Sequence, residues 1–289
     1  MIIVAILKHV AGKSADYGAA LDYLKYEHDE VLKRPLLDAN GNWVLRRDIL
    51  LEGINCEPEL FDVECEMLNA QYHKNQNYDE IKTHHYLISF DPADKDECGL
   101  TGEQAQAIGM EYVKANFPGH QALVCTHMDG HNGSGNIHVH IVINSLRKLN
   151  VPQQPFMERP IDCKAGYKHH LTKDYLKHLQ QSLMNICMRE SLNQVDLLSP
   201  SVNKITQQEY YAKQRGQINL DKLNAELIAE GFTPMKTKFQ TEKDKLRDSI
   251  TAAAKKAKSF EEFSRLLQTE SNILVKDHRG RFSYLLPDR

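Results

Sequence analysis

The most regular alternation of apolar and polar positions in the chain runs from Ile137 to Asn144, Ile-His-Val-His-Ile-Val-Ile-Asn. Such alternation predicts a half-buried β-strand. Val139, Ile141 and Ile143 share the face to be buried, and His138, His140, Val142 and Asn144 share the other. An apolar, β-prone run from Leu123 to Met128 precedes it, and the stretch between is rich in Gly, Asn and Ser, so residues 120–145 read as one β-hairpin. Met1 to Lys8 is a continuous β-branched run and predicts a central strand, and Thr83 to Phe90 predicts another, closed by Asp91-Pro92.

Helical spacing fills the intervals. Ser14 is placed to cap a helix from Ala15 to about Leu32, which carries Tyr17, Tyr23 and Tyr26. Residues 33–55 read as a loop-like insert with Pro35, Asn40-Gly41 and the only Trp, Trp43. Glu59 to about His73 is amphipathic through Leu60, Phe61, Val63, Met67, Leu68 and Tyr72. Thr101 and Gln104 have capping-box spacing for a helix ending near Phe117-Pro118-Gly119, and Thr172 opens one that runs to about Leu192. This order predicts an α+β fold: an antiparallel sheet with helices on one face and the other face open to a ligand.

The pattern changes after Ser199-Pro200. Two domains are predicted, residues 1–198 and a mostly helical extension over 199–289. The extension has helices near Asn219–Glu230, Lys238–Lys258 and, capped by Ser259, Phe260–Leu267. A small hairpin closes it, Ile273–Lys276 with Phe282–Leu286. The chain stops at Pro287-Asp288-Arg289 straight after a strand, which predicts a piece of a longer protein.

Composition narrows the class. With 41% hydrophobic and 26% charged residues, the 289-residue chain reads as an ordinary soluble protein. It has neither an apolar run long enough for a spanning helix nor a signal-peptide pattern, so membrane insertion is not expected. The six scattered cysteines lack a CxxC pair and suit reduced thiols in a cytoplasm. A net charge of −3 argues against a wholly basic nucleic-acid binder but allows a local basic groove. One such run follows the hairpin: Arg147, Arg159, Lys164, Lys168, His169 and Lys173, with Phe156 and Tyr167 interleaved as stacking rings require.

Two histidines two residues apart on a strand can reach one ion, and His127 lies across the hairpin beside them. Three neutral imidazoles with coordination positions left over are the pattern of a catalytic rather than a structural metal site. His131, in the turn, reads as a solvated loop residue. Cys125 shares the face of His127 and reads as a packed small hydrophobe. Asp129, His85 and Asn144 are candidates to hold the ligand rings, since metal-bound His normally donates its second N–H to an acceptor.

His127, then ten residues, then His138-Val139-His140 and Asn144 resembles the His-hydrophobe-His signature of the HUH endonucleases, and more narrowly the MobA/MobL-type relaxases. Ala20-Leu21-Asp22-Tyr23-Leu24 resembles that family's nucleophile motif, and the resemblance covers about residues 1–195. It implies a central five-stranded antiparallel sheet flanked by helices, with Tyr23 as nucleophile. Tyr26, Tyr17 and His28 are the alternatives. It further implies attack on single-stranded DNA at an origin of transfer, a 5′-phosphotyrosyl adduct with a free 3′-OH, and a divalent ion, Mn2+ or Mg2+, that draws charge from the phosphate. Plasmid or integrative-element mobilisation in a bacterial cytoplasm, accessory relaxosome proteins and a coupling protein are implied as well. An acidic residue often supports the metal ligands in this family; here the neighbouring strand offers His84 and His85 instead, and His85 can alternatively contact the phosphate. The rival readings are a rolling-circle replication initiator or transposase of the same class, a His-metal phosphoesterase, and a non-enzymatic DNA-binding module.

Overall fold

The computed structural model describes residues 5–14, 16–29, 34–129, 136–193, 196–199 and 206–286. The chain divides into two compact units, Met1–Pro200 and Ser201–Arg289.

The first unit is built on a five-stranded antiparallel sheet. Its strands are β1 (Ile6–Gly12), β4 (Ile49–Ile54), β5 (Thr83–Ser89), β6 (His120–His127) and β7 (His138–Arg147), in the order β1-β5-β7-β6-β4. Two very short strands, β2 (His28–Asp29) and β3 (Arg34–Pro35), pair with each other outside it. The alternation of β7 is realised as expected. Val139, Ile141 and Ile143 are fully buried under helices α4 (Gly102–Asn116) and α5 (Lys173–Arg189), with Tyr86, Ile88 and Val124 beside them. Each such apolar side chain contributes roughly 1.5–3 kcal/mol on leaving water. The short α3 (Pro92–Asp96) precedes α4, and Thr101 and Gln104 form the expected capping box of α4. Gly109 lets α4 lie close to the sheet: a Cβ there would come within 2.6 Å of Val139 Cγ1.

Several expectations are corrected. β1 is an edge strand, not a central one, and its outward Ile6 and Val10 are 42% and 48% exposed; residues 1–4 of the expected strand lie outside the described residues. The insert at 33–55 contains β4, the fifth strand, whose Ile-Leu-Leu run pairs with β6. The first helix, α1, spans only Gly18–Lys25. Asp16 Oδ1 accepts from Ala19 N at its start, and Tyr26 is already extended. Finally, the second face is not open across its width. α1 and α2 (Phe61–Tyr72) cover its β6 side, burying Leu24, Phe61 and Cys65 against Leu123, Cys125 and Val142. Cys125 is thus the packed small side chain expected of it. Leu60, Val63 and Met67 of the anticipated apolar stripe are exposed; α2 buries Phe61, Cys65 and Leu68 instead.

The second unit has helices α6 (Gln207–Ala229), α7 (Glu242–Lys256) and α8 (Phe260–Ser271), then the hairpin β8 (Leu274–His278) and β9 (Arg281–Leu285). Arg279 and Gly280 both have positive φ, which matches the right-handed twist of a two-residue hairpin. Ala253, Leu267 and Ile273 form its small core. None of the six cysteines forms a disulfide. Among the described residues no helix is long and apolar enough to cross a membrane.

Candidate active site

Strand pairing sets the site. His127 is directly opposite His138 in the β6–β7 ladder, and His140 follows one residue-pair along the same face. All three rings are buried, and one nitrogen from each lies within 4.8 Å of the others. The centroids are 5.1 Å apart for His127 and His138, 4.5 Å for His127 and His140, and 4.9 Å for His138 and His140.

Each ring is held through its second nitrogen. His127 Nε2 is 2.9 Å from the carbonyl oxygen of Leu24, in the last turn of α1. That carbonyl lies at the negative end of the helix dipole and fixes the ring through Nε2–H. His138 Nδ1 is 3.3 Å from the Asn136 carbonyl, and His140 Nδ1 is 2.9 Å from His85 Nε2. These bonds favour Nδ1 of His127 and Nε2 of His138 and His140 as metal donors. The donor set therefore fits one divalent ion.

Of the three expected supports, only His85 meets a triad ring. Its pairing with Val142 puts it on the triad face, and burial, with the nearby charges of Lys8 and His9, lowers its pKa to about 4, so the ring is neutral. Asp129 instead binds Arg46 at 2.9 Å, and Asn144 donates to Gln121 Oε1 near the other end of β7. The carbonyls of Leu24 and Asn136 were not anticipated; backbone oxygens leave no trace in residue types.

The shortened α1 separates the tyrosines. Tyr23 is half-buried, with its ring edge-on to His140 at 5.7 Å and to His85 at 6.0 Å, and 5.2 Å from His28. Tyr17 is buried in the α1–α2 core. Its hydroxyl accepts from Asn69 Nδ2 at 2.8 Å, and burial pushes its pKa up to about 12. Tyr26 has left the helix, and its ring packs on Trp43. His28 follows in β2 with Nδ1 2.9 Å from the Tyr26 carbonyl, so Nδ1–H donates and Nε2 carries the lone pair. His131 lies outside the described residues.

The basic run sits elsewhere. It begins at the far end of β7, and His138 to Arg147 spans roughly 30 Å of strand. Arg147 and His169 are inside rather than on the surface: Arg147 is 3% exposed, and His169 Nε2 is 2.8 Å from the Tyr86 hydroxyl. Burial removes both from the expected DNA-contacting surface. Arg159 is paired with Asp162 and Lys168 with Glu80, while Lys164 and Lys173 are exposed.

Comparison with known proteins finds likenesses at three levels. Residues 44–151 match the family model described as relaxase, MobA/VirD2-like, nuclease domain. The matched segment runs from the insert hairpin past β7 and contains all three histidines; β1 and Tyr23 precede it. Three proteins of Staphylococcus aureus called Protein rlx are similar to the chain. One is 26% identical over 243 residues, 84% of this chain and 61% of the relative; another is 20% identical over 232 residues, 80% of this chain and 57% of the relative. The chain thus spans 44–61% of the length of these relatives. Among solved structures, the conjugative relaxase TrwC in complex with mutant OriT DNA aligns with 92% of this chain and 99% of its own at 12% identity and a TM-score of 0.37. Its metal-bound complex with OriT DNA aligns with 92% and 98% at 13% identity and a TM-score of 0.36.

Proposed function

We propose that this chain nicks and rejoins one strand of DNA at a specific site, with Tyr23 as the nucleophile, in the mobilisation of a plasmid or integrative element. The observation that carries the reading is the Tyr23 ring against His140 of a buried three-histidine cluster, in a chain whose residues 44–151 match the relaxase family model. His127, His138 and His140 would hold a divalent ion, Mn2+ or Mg2+, which would supply positive charge to draw electron density from the scissile phosphate.

The residues of the chain do the rest. Tyr23 Oη forms a bond to phosphorus as the bond from phosphorus to the 3′-oxygen breaks, and the departing 3′-oxygen takes a proton to become a 3′-OH. The phenol needs help to lose its own proton. His28 takes it, because its Nδ1 is turned to the Tyr26 carbonyl and Nε2 is the basic nitrogen. His85 holds the His140 ring in place. The phosphotyrosyl bond conserves the energy of the broken ester, so the 3′-OH can reverse the step, which suits strand rejoining better than hydrolysis. Of the basic run, Lys164 and Lys173 are left exposed to contact the strand well away from the histidine cluster. Accessory relaxosome proteins, a coupling protein and a bacterial cytoplasm complete the proposal.

The test is mass spectrometry after incubation with Mn2+ and single-stranded oligonucleotides tiled across the DNA flanking the coding sequence. One of them should give a 5′-phosphotyrosyl adduct on Tyr23. Tyr23→Phe should bind metal and strand but form no adduct. An adduct formed at the normal rate by Tyr23→Phe and lost in Tyr26→Phe or His28→Ala would refute the assignment. Hydrolysed strands without any adduct would favour a phosphoesterase.

A further inference from the structure

A short hairpin beside the site presents apolar surface to solvent. The Leu37–Trp43 bridge closes it around a turn in which Asp38 Oδ1 accepts from the backbone N–H groups of Asn40 and Asn42. Trp43 is 47% exposed, Leu37 60% and Leu45 55%. A cluster of this kind on a small hairpin is unfavourable in water and marks a contact surface.

The base of this hairpin is fixed next to the histidine cluster. Arg46 is 8% exposed; its Nε donates to the Tyr26 carbonyl and its Nη1 to Asp129, two residues beyond His127. Glu27 N donates to Val44 O, and Arg46 N donates to Lys25 O at the end of α1. A succession of rings therefore leads outward. His140 is 5.7 Å from Tyr23, Tyr23 is 5.2 Å from His28, His28 is bonded to the Tyr26 carbonyl, and the Tyr26 ring is 5.3 Å from Trp43. The exposed guanidinium-bearing residues Arg34 and Arg47 flank the hairpin.

We propose that Trp43 is a stacking platform for an unpaired base of the DNA strand held at the histidine cluster, with Leu37 and Leu45 as its apolar border. This inference rests on the proposed function. A single strand is the occupant that fits, because its bases offer flat apolar faces while its phosphates meet the flanking arginines, and base–aromatic stacking tolerates any sequence. A duplex has its base faces already stacked and offers Trp43 nothing comparable.

Trp43 is the only Trp in the chain, so its fluorescence reports on this position alone. The experiment titrates the full chain, in EDTA and at low salt, with (dT)25, following Trp43 emission, and in parallel with fluorescein-labelled (dT)25, following anisotropy. Trp43 emission should be quenched along the same curve as the anisotropy rise, and acrylamide should reach Trp43 less well in the complex. Trp43→Ala should weaken binding about tenfold, and Trp43→Phe by much less. A blunt 25-base-pair duplex should leave the emission unchanged. Anisotropy that rises while Trp43 emission and quenching stay constant would overturn this inference and leave the proposed function standing. The absence of any strand binding would overturn both.

Discussion

Acidification should unfold the first unit for a reason visible in its interior. On the face opposite the three-histidine cluster, His84, His120 and His169 are buried. His9 Nε2 meets His84 Nδ1 at 2.9 Å, His169 meets the Tyr86 hydroxyl, and His120 Nδ1 meets the Asn144 carbonyl at 2.9 Å. Burial, then the charges of neighbours including Lys168 and Arg147, lowers His84 and His120 to about 3 and holds His169 well below its ordinary value. The unfolded chain takes up these protons near pH 6.5 and the folded chain does not. Stability contributed by the neutral rings is thus complete above pH 6.5 and is lost as pH falls from there toward 3. Each ring costs about 1.4 kcal/mol per pH unit in that window, so the three together cost about 4 kcal/mol between pH 7.5 and 5.5. That is a large share of a typical domain stability of roughly 5–15 kcal/mol. Urea denaturation followed by Trp43 emission reads the first unit alone. The midpoint should fall steeply below pH 6.5, and His120→Gln, if it folds, should lower the slope by one proton. A midpoint constant from pH 7.5 to 5.5, or a slope unchanged in His120→Gln, would refute the reasoning.

Metal affinity should grade with distance from the ion. In calorimetry with Mn2+, His138→Ala should bind at least about 100-fold more weakly, and His85→Ala about 10–100-fold, as loss of a ligand's orienting partner does. Equal affinity in His85→Ala would remove it from that role. Gly109→Ala should destabilise the first unit by about 1–3 kcal/mol, despite the better helix propensity of Ala, because its Cβ would lie 2.6 Å from Val139 and 2.9 Å from Val124. A urea midpoint at or above that of the parent would show that α4 can shift without cost.

The sequence alone determined the part of the site that depends on parity. Side chains alternate along a strand whatever surrounds it, so His138 and His140 had to share a face and Val139, Ile141 and Ile143 had to share the other. A hairpin then brings His127 back beside them, and the paired strands do place it opposite His138. Capping was legible for the same reason, as Thr101 and Gln104 are three residues apart. What depends on contacts between distant segments was not legible. Exposed Ile6 and buried Ile141 are the same residue type, and only the strand order puts one at an edge and the other in the middle. The helix carrying Tyr23 stops at Lys25 because the chain turns out to pair with the hairpin around Trp43, which overrides local propensity. Packing against α2 then takes Tyr17 into a core, that hairpin takes Tyr26, and Tyr23 is left beside His140. Charge along the chain is equally silent about depth: Arg147 and His169 read as surface residues until the fold encloses them.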